Sequence, residues 1–247
     1  WPVADFAGPD QPAQVAALIV THNNADDLEP LLASLHVEAA QLTLRVVVVD
    51  NASTDGTLER AQAHPGVIAV ASGGNLGYAG GINVAARHAG QVEALLILNP
   101  DLLVMPGAIS ALWARLAREP RAGAVVPMLV DEDGAIYPSL RREPTPLRSF
   151  GDALCGSRLP ARPGWLSEIV WDPGAYRQAH RVDWATGAAV LVRASAADML
   201  GDWDERFFLY SEETDYFHRM RGAGWHVWYD AAARMRHTRG GSGSAPQ

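Results

Sequence analysis

The chain has 247 residues, of which 48% are hydrophobic and 19% charged, and its formal net charge is −8. A chain of this length and composition can bury a substantial core, and an α/β fold of this size is commonly one domain. The acidic balance argues against a nonspecific nucleic-acid binder, because such proteins need cationic surface to displace counterions from phosphates. An anionic ligand would therefore need a divalent cation, helix N-termini or a few placed arginines.

Three further features bear on location. No apolar run reaches the roughly 18 residues that cross a bilayer, so we expect a soluble protein. The chain begins at Trp1 without Met and without a recognisable leader. Cys155 is its single cysteine, which excludes an intrachain disulfide and a thiolate zinc cluster and fits a reducing compartment.

The first half alternates apolar runs with segments of helical periodicity. Residues 16–21 predict a strand, followed by a helix that Asn24 can cap. Residues 45–50 repeat the pattern, with Ser53 or Thr54 as the cap of a helix that ends near His64. Further predicted elements are a strand at 67–72, a helix at 80–88 and a strand at 94–99. This alternation of strands and helices, which continues to about residue 120, predicts a parallel sheet with helices on both faces.

The pattern changes in the second half. Residues 123–130 predict a strand with a turn at Asp133-Gly134, and Pro, Gly and Arg accumulate over residues 138–176. We interpret that stretch as a long functional insertion that forms a mobile wall of a binding site. Predicted elements then follow as a strand at 188–193, helices at 194–200 and 213–221, and a short strand at 226–229. Residues 240–247 have the composition of a tail.

Polar residues follow each of the four predicted strands of the first half. In a parallel α/β sheet, ligands bind at the carboxyl ends of the strands, so these positions are the first candidates for a site. Any one of them is a common cap or turn residue, but four consecutive polar strand ends favour a ligand crevice. They are Thr21, His22 and Asn23; Asp50, Asn51 and Ser53; Gly73, Gly74 and Asn75; and Asn99 and Asp101.

The glycine-rich segment at residues 73–83 lies between a predicted strand and a predicted helix. Glycines there allow close approach of the backbone to phosphate, although tight turns explain them equally well. The segment lacks the G-x-G-x-x-G spacing and does not open a first βαβ unit, so the dinucleotide fingerprint fails.

Three carboxylates carry most of the chemical interpretation. Asp101, after the fourth strand, can hold Mg²⁺ or Mn²⁺ while substrate phosphates supply other oxygens, and His237 can complete the metal shell or contact phosphate. Glu212 and Glu213 stand at the start of a predicted helix, where apolar walls would raise a carboxylate pKa towards general-base function. The neighbouring residues Trp203, Phe207, Phe208 and Asp215 are the candidates for binding the acceptor, that is, the substrate from which the general base would take a proton.

With these residues, the chain resembles family 2 glycosyltransferases, particularly the branch with rhamnosyltransferases and related cell-surface polysaccharide enzymes. The resemblance covers residues 16–237. Its order and spacing are specific, and it rests on four segments: ALIVTHNNADDLEPLLASL, VVVVDNASTDGT, GNLGYAGGINVAA with LLILNPD, and ATGAAVLVRASAADMLGDWDERFFLYSEETDYFHRMRGAGW.

The resemblance implies a GT-A fold: an α/β fold with a mostly parallel nucleotide-binding sheet flanked by helices, joined to an acceptor-binding part. It implies one domain, with the nucleotide-sugar half at about 15–120 and the acceptor and catalytic-base half at about 121–240. Asp101 matches the second acid of the family's DXD metal motif, and Asn99 stands at the first. Glu213 matches the catalytic base, with its neighbour Glu212 as the alternative. The implied nucleotide-sugar site comprises Thr21, Asn23, Asp50, Asn51, Asn75, Gly77, Asn83, Asn99 and Asp101.

We therefore expect an inverting, metal-dependent transferase that moves a sugar from a nucleotide-diphospho-sugar to a glycan or lipid-linked glycan. dTDP-rhamnose is the first candidate donor and UDP-sugars are the next. The expected location is the cytoplasm, with peripheral contact at the inner face of the membrane; no oligomeric state is predicted. Two alternatives stay open: a noncatalytic sugar-nucleotide or glycan-binding module, and a sugar-phosphate nucleotidyltransferase. The acidic loop THNNADD disfavours the second, which needs a basic, glycine-rich loop after its first strand.

Overall fold

A computed structural model describes residues 5–155 and 163–238 of the chain. In this part of the chain, helices flank a central sheet of nine strands, which runs through both predicted halves. A separate two-stranded sheet pairs β7 with β9. The strands are β1 (Ala13–Thr21), β2 (Leu44–Asp50), β3 (Val67–Ala71), β4 (Val92–Leu98), β5 (Leu102–Val104), β6 (Ala122–Val130), β7 (Leu140–Arg141), β8 (His180–Val182), β9 (Trp184–Ala185), β10 (Ala189–Arg193) and β11 (His226–His237).

The order of the central sheet is β3-β2-β1-β4-β10-β6-β11-β5, with β8 added beside β11. Six of its nine strands run in the same direction, and β10, β5 and β8 run against them. In the paired register, Thr21 lies opposite Asp50, and Ile19 lies opposite Leu98. The carboxyl ends of β1, β2 and β4 therefore meet at one edge of the sheet, as the sequence predicts for a ligand crevice.

The central strands are apolar along nearly their whole length because helices bury both faces of the sheet. All residues of β2 and β6 are buried, and all but one of β1. The leucines of α1 at positions 28, 31, 32 and 35 pack into the same core, at the helical spacing seen in the sequence. The helices are α1 (Ala25–Ala39), α2 (Thr57–Ala63), α3 (Gly77–Arg87), α4 (Ala108–Arg118), α5 (Pro146–Cys155), α6 (Ala194–Leu200) and α7 (Glu212–Gly222).

Some local predictions were wrong. The N-cap of α2 is Gly56, in the left-handed conformation, and not Ser53 or Thr54. Asn24 does precede α1, but its side chain makes no capping bond: it accepts from the His22 N–H and donates to Asp27. The last strand, β11, has 12 residues, because the sheet pairs with it well beyond Tyr229.

The insertion at residues 138–176 contains structure that the sequence did not indicate. It includes β7, α5 and a 3-10 turn at Pro173–Tyr176. Within the described residues, no helix is both long enough and apolar enough to cross a membrane. The tail predicted at residues 240–247 lies outside the described residues.

Candidate active site

A cleft of about 610 Å³ opens at the carboxyl ends of β1, β2 and β4. The start of α7 and the loop before it close the opposite side, so both halves of the chain contribute walls. Its lining residues are Val20, Thr21, His22, Asn24, Asn51, Asn75, Gly77, Tyr78, Asn99, Pro100, Asp101, Tyr137, Thr186, Gly187, Ala188, Phe208, Leu209, Tyr210, Glu212, Glu213 and His237.

On the side of the first half, Asn51 holds the glycine-rich loop in place. Its side-chain amide donates to Asn75 Oδ1 and to the Gly77 carbonyl, both at 3.0 Å, and its Oδ1 accepts from the Leu76 N–H at 2.9 Å. Asn51 is buried and its hydrogen bonds are made within the protein. Its side chain therefore shapes the loop, while Asn75 and the start of α3 present polar groups to the cleft.

Two predicted nucleotide contacts lie behind the cleft wall. The Asp50 carboxylate is buried and accepts hydrogen bonds from the Ser53 N–H at 3.0 Å and Thr21 Oγ1 at 3.4 Å. Asn23 ties together the loops after β1 and β2: its N–H donates to Ser53 Oγ, and its Oδ1 accepts from the Thr54 N–H at 2.8 Å. Neither residue lines the cleft, so in this conformation both stabilise the loops that do.

Gly77 brings the two halves of the cleft into contact. It adopts φ 73°, and a Cβ added there would overlap the carbonyl oxygen of Phe208. The next residue, Tyr78, donates its N–H to that same oxygen at 3.0 Å. Only glycine fits both the backbone conformation and this close approach, which holds the exposed loop Phe208 to Tyr210 against the start of α3.

Asp101 and His237 form the pair that could hold a metal. Asp101 Oδ2 lies 3.6 Å from His237 Nδ1, and the Thr238 N–H bonds the Asp101 carbonyl at 2.9 Å, which fixes the end of β11 beside Asp101. Asp101 Oδ1 and His237 Nδ1 are buried and have no hydrogen-bond partner among the described residues.

A carboxylate and an imidazole fit a divalent cation that takes its other ligands from phosphate oxygens and water, as Mg²⁺ and Mn²⁺ do in phosphate sites. The described residues contain no cluster of three or more protein ligands that could hold an ion without substrate.

Asn99 is oriented by a tyrosine that sequence reasoning missed. Tyr78 donates its hydroxyl hydrogen to Asn99 Oδ1 at 2.8 Å, and the Gly187 carbonyl lies 3.4 Å from the same hydroxyl. Burial raises the pKa of Tyr78, and the negative charges of Glu213, Glu212 and Asp101 raise it further. Tyr78 therefore stays a neutral donor, and it lies near all three of the carboxylates assigned to chemistry.

The carboxylate pair begins α7 after a strained turn. Tyr210 and Ser211 adopt φ 69° and 73°, a conformation that costs about 1–2 kcal/mol for each non-glycine residue. Because this turn immediately precedes Glu212, it sets the direction in which the helix presents both carboxylates to the cleft.

The two glutamates differ in their surroundings. Burial raises the pKa of Glu212 to about 7, and the charge of Glu213 adds to the effect. Burial also raises the pKa of Glu213, but the Gly187 N–H and the Arg141 guanidinium stabilise its anion. A backbone N–H stabilises the anion of each glutamate, but only Glu213 has Gly187 and Arg141 in addition, while Glu212 Oε2 is buried without a partner in the described residues.

Unpartnered polar atoms converge on this cleft. Asp101 Oδ1, Thr186 Oγ1, Glu212 Oε2 and His237 Nδ1 are buried without a hydrogen-bond partner in the described part of the chain, and all four residues line the cleft. Buried polar groups are nearly always paired, and an unpaired one costs about 1–3 kcal/mol. Four in one cleft indicate a place where a polar ligand or an ion completes the structure.

The family model of Glycosyl transferase family 2 matches residues 16–165, which is more than half of the chain. The chain belongs to glycosyltransferase family 2. It is 36% identical over 235 residues to the N-acetylglucosaminyl-diphospho-decaprenol L-rhamnosyltransferase of Mycobacterium tuberculosis, an alignment that covers 88% of this chain and 74% of the relative.

Solved glycosyltransferases have the same fold. A structure of GalNAc-T7 with UDP, GalNAc and Mn²⁺ superposes with a TM-score of 0.64 at 16% identity, over 92% of this chain and 44% of that one. The mannosyltransferase PcManGT of Pyrobaculum calidifontis, in complex with GDP-Man and Mn²⁺, gives a TM-score of 0.62 at 20% identity, over 98% and 62%. This chain thus spans less than two thirds of either solved protein. The predicted GT-A fold is confirmed.

Four further predicted site residues of this glycosyltransferase do not line the cleft in the structure. Asn83 is buried and joins α3 to the loop before Phe207, donating to the Trp203 carbonyl at 2.9 Å and accepting from the Trp203 N–H at 2.9 Å. Trp203 stacks on Tyr216 with ring centroids 4.1 Å apart. Asp215 is paired with Arg219 at 2.7 Å. These three side chains are used in packing and local pairing, and neither they nor Phe207 line the cleft.

Of the predicted acceptor residues, Phe208 does line the cleft, together with its neighbours Leu209 and Tyr210. No described residue from 138 to 176 does; Tyr137 and Thr186 to Ala188, on either side of the insertion, line the cleft there. The segment ATG at residues 185–187 was part of the family resemblance, which was the one signal that could have identified Thr186. Tyr78 lies in the glycine-rich segment, where no spacing distinguishes it as a site residue.

Proposed function

We propose that this glycosyltransferase transfers rhamnose from dTDP-rhamnose to a hydroxyl of a lipid-linked N-acetylglucosaminyl acceptor, with inversion at the anomeric carbon. UDP-sugars are the next candidate donors. The observation that carries the proposal is the pairing, in one cleft, of Asp101 and His237 on one side with Glu212 and Glu213 on the other. The named activity of the mycobacterial relative, at 36% identity, supports the choice of sugar and acceptor.

The donor diphosphate would lie along the strand ends, near Asn75, Asn99 and Asp101. A divalent cation bound by Asp101, His237 and the diphosphate would neutralise charge on the leaving group. Both solved glycosyltransferases of this fold described above contain Mn²⁺, which supports a cation of this class. Because the protein is acidic, with a net charge of −8, it needs such a cation or equivalent donors to accept a diphosphate.

The acceptor would enter past the exposed side chains of Phe208, Leu209 and Tyr210. Glu213 takes the proton from the acceptor hydroxyl, whose oxygen attacks the anomeric carbon as the bond to the diphosphate oxygen breaks. A single displacement of this kind inverts the anomeric centre. Glu213 is preferred over Glu212 as the base because the Gly187 N–H and Arg141 stabilise its anion.

The test is a transfer assay with a water-soluble, short-chain N-acetylglucosaminyl diphosphate acceptor, combined with thermal shifts. Ligands that bind only the folded state raise its apparent stability, so dTDP with Mn²⁺ should raise the Tm more than UDP or GDP with Mn²⁺. Rhamnosylated product is expected only with the donor, acceptor and cation together. Binding of dTDP-rhamnose without turnover would favour a noncatalytic module. Formation of nucleotide-sugar from a triphosphate and a sugar phosphate would favour a nucleotidyltransferase.

The acceptor assigned above is anchored in a lipid bilayer, so we also propose that the enzyme works in the cytoplasm, at the inner face of the membrane. Its contact there would be peripheral.

A further inference from the structure

We propose that α5 docks this protein on an anionic lipid bilayer through an outward apolar face formed by Leu147, Phe150 and Leu154. We call this surface the outer face of α5. The inference rests on the proposed function in one respect: a lipid-linked acceptor requires the enzyme to meet a membrane. It adds the surface that makes the contact.

α5 exposes its apolar side chains and turns its polar side chains toward the protein, which is the reverse of an ordinary surface helix. At about 100° per residue, Leu147, Phe150 and Leu154 lie within an arc of about 60°. Their exposed fractions are 50%, 60% and 69%. A surface helix of a water-soluble protein normally buries such a stripe, and a contiguous apolar patch left exposed marks an interaction surface.

The polar face of α5 is the one that contacts the protein. Arg148 Nε donates to the Gly164 carbonyl at 3.0 Å, and Ser149 Oγ donates to Glu168 Oε1 at 2.6 Å. The Asp152 carboxylate accepts from Ser167 Oγ at 2.7 Å. Hydrogen bonds to one strip of chain, from Gly164 to Glu168, thus hold the polar side inward.

Gly151 fixes the same orientation by close packing. A Cβ added at Gly151 would overlap the carbonyl oxygen of Leu166, so the helix backbone lies directly against the strip. Rotation of α5 to bury its apolar stripe would break this contact together with the hydrogen bonds of the polar side chains. The exposed stripe is therefore built into the packing of the helix.

The charge of this region suits an anionic membrane. Residues 141–181 contain seven arginines and four acidic residues, a local net charge of +3 in a chain whose net charge is −8. Arg141, Arg142 and Arg148 bond to backbone carbonyls, and none forms an ion pair with a carboxylate in the described residues. Aromatic and leucine side chains on one face with arginines nearby are the features of helices that lie in a membrane interface.

The outer face of α5 is also connected to the catalytic cleft. Arg141 is close enough to Glu213 for its charge to lower the pKa of that carboxyl group. α5 begins five residues after Arg141, so the start of the helix lies at most about 18 Å from that residue. Glu143, between them, bonds both His218 and Arg221 of α7. A bilayer at this face would hold a lipid-linked acceptor near the carboxylates that α7 presents.

The experiment is vesicle co-sedimentation without donor or acceptor. Vesicles of equal phosphatidylglycerol and phosphatidylcholine are compared with vesicles of phosphatidylcholine alone. We expect the protein to bind the anionic vesicles, more weakly as salt is raised. Phe150→Ser with Leu154→Ser should lower the partition coefficient about 30-fold or more, because two large apolar side chains no longer enter the interface. The matched control is Val37→Ser with Met199→Ser, which removes side chains 49% and 63% exposed on α1 and α6 and should bind as wild type.

Two results would overturn the proposal: no binding of the wild-type protein to anionic vesicles, or equal binding by both double variants. If sedimentation velocity reveals a dimer that only Phe150→Ser with Leu154→Ser disrupts, and vesicle binding is unchanged, the face belongs to a second copy of the chain instead. Transfer to a water-soluble acceptor separates this test from the proposed function. Phe150→Ser with Leu154→Ser should keep that transfer. If the wild-type protein binds anionic vesicles but transfers no sugar, the proposed function is refuted and the docking surface is not.

Discussion

Tyr78 and Asn99 are joined by a hydrogen bond of 2.8 Å between the tyrosine hydroxyl and the amide oxygen. Asn99 stands at the position that the family resemblance assigns to the first acid of a metal motif, and its oxygen accepts the hydrogen bond from the tyrosine. Its amide nitrogen is then the group available to the cleft, where it can donate to a phosphate oxygen. In this arrangement Asp101 and His237 would hold the cation, and Asn99 would bind the diphosphate directly.

Tyr78→Phe should therefore weaken donor binding without removing the metal requirement. The lost hydrogen bond frees the Asn99 side chain to rotate, and a bond of this kind is worth about 0.5–1.5 kcal/mol, or roughly 2-fold to 10-fold in Kd. Calorimetric titration of the nucleoside diphosphate with Mn²⁺ measures the change. Tyr137→Phe is the control, since Tyr137 also lines the cleft but does not contact Asn99. Equal affinities for wild type and Tyr78→Phe would refute the role of Tyr78.

The parts of the fold that the sequence predicted are those with strong periodicity. β1, β2 and β4 are continuous apolar runs, and α1 carries leucines at helical spacing, so local pattern and tertiary burial agree. β5, β7, β8 and β9 have two or three residues each, too few for any period. The second half of β11 reads as alanines and arginines, and it is a strand because β6 and β5 pair with it.

For the site, strand-end logic identified the residues whose position follows from topology: Thr21, Asn51, Asn75, Asn99 and Asp101 all line the cleft. The aromatic pattern before α7 is different, because it does not determine which side chains face the cleft. Trp203 follows the same aromatic pattern as Phe208, yet it is 6% exposed and stacked on Tyr216, while Phe208 is 56% exposed in the cleft. No sequence pattern distinguishes the two, because the difference depends on which face of the loop meets the core.

Asp101→Asn should weaken cation-dependent donor binding by about 10-fold or more, since even the loss of a group that hydrogen-bonds a metal ligand costs about 10-fold to 100-fold in metal affinity. Asn removes the charge and keeps the size, so the fold is preserved. Calorimetry of the nucleoside diphosphate with and without Mn²⁺ gives the coupling between cation and donor. Asp133→Asn, at an exposed acid away from the cleft, should behave as wild type. Unchanged coupling in Asp101→Asn would refute the metal assignment.

Gly77→Ala should destabilise the protein and abolish donor binding. A β-carbon at φ 73° is strained and would also overlap the Phe208 carbonyl, so we expect a loss of at least about 1 kcal/mol in the free energy of unfolding. Chemical denaturation measures it. Gly74→Ala is the matched control in the same loop, because nothing lies within 4 Å of a Cβ added there. If both variants unfold at the same denaturant concentration as wild type, the close approach at Gly77 does not stabilise the fold.

Glu213→Gln should lower transfer by about 10²-fold to 10⁴-fold, the usual contribution of general-base catalysis, with donor affinity nearly unchanged. Asp215→Asn is the control in the same helix turn, because Asp215 pairs with Arg219 outside the cleft. Rate measurements at saturating donor and acceptor decide the matter. Loss of transfer in Glu212→Gln alone would show that Glu212, and not Glu213, is the base. Transfer near the wild-type rate in both glutamate variants would place the base elsewhere.

The raised pKa of Glu212 has a consequence for stability that needs no substrate. Its folded pKa is about 7, above the 4.5 of an ordinary glutamate, so the folded state binds the proton more tightly than the unfolded state does. The stabilising effect of that proton is complete below pH 4.5 and is lost as pH rises to about 7. The free energy of unfolding should therefore fall by about 1–3 kcal/mol between pH 5 and pH 8 from this group alone.

Glu212→Gln removes this titration, so its free energy of unfolding should change less between pH 5 and pH 8 than that of the wild type. Comparing the two pH values within each protein cancels any constant cost of placing an amide in the buried position. Urea denaturation of both proteins at the two pH values gives the difference. Glu143→Gln is a useful contrast, because bonds from Arg221 and His218 lower the pKa of Glu143. This substitution should therefore lower the free energy of unfolding most at pH values above the ordinary pKa of a glutamate. If wild type and Glu212→Gln lose the same stability on going to pH 8, then Glu212 ionises normally and the cleft is more hydrated than its burial indicates.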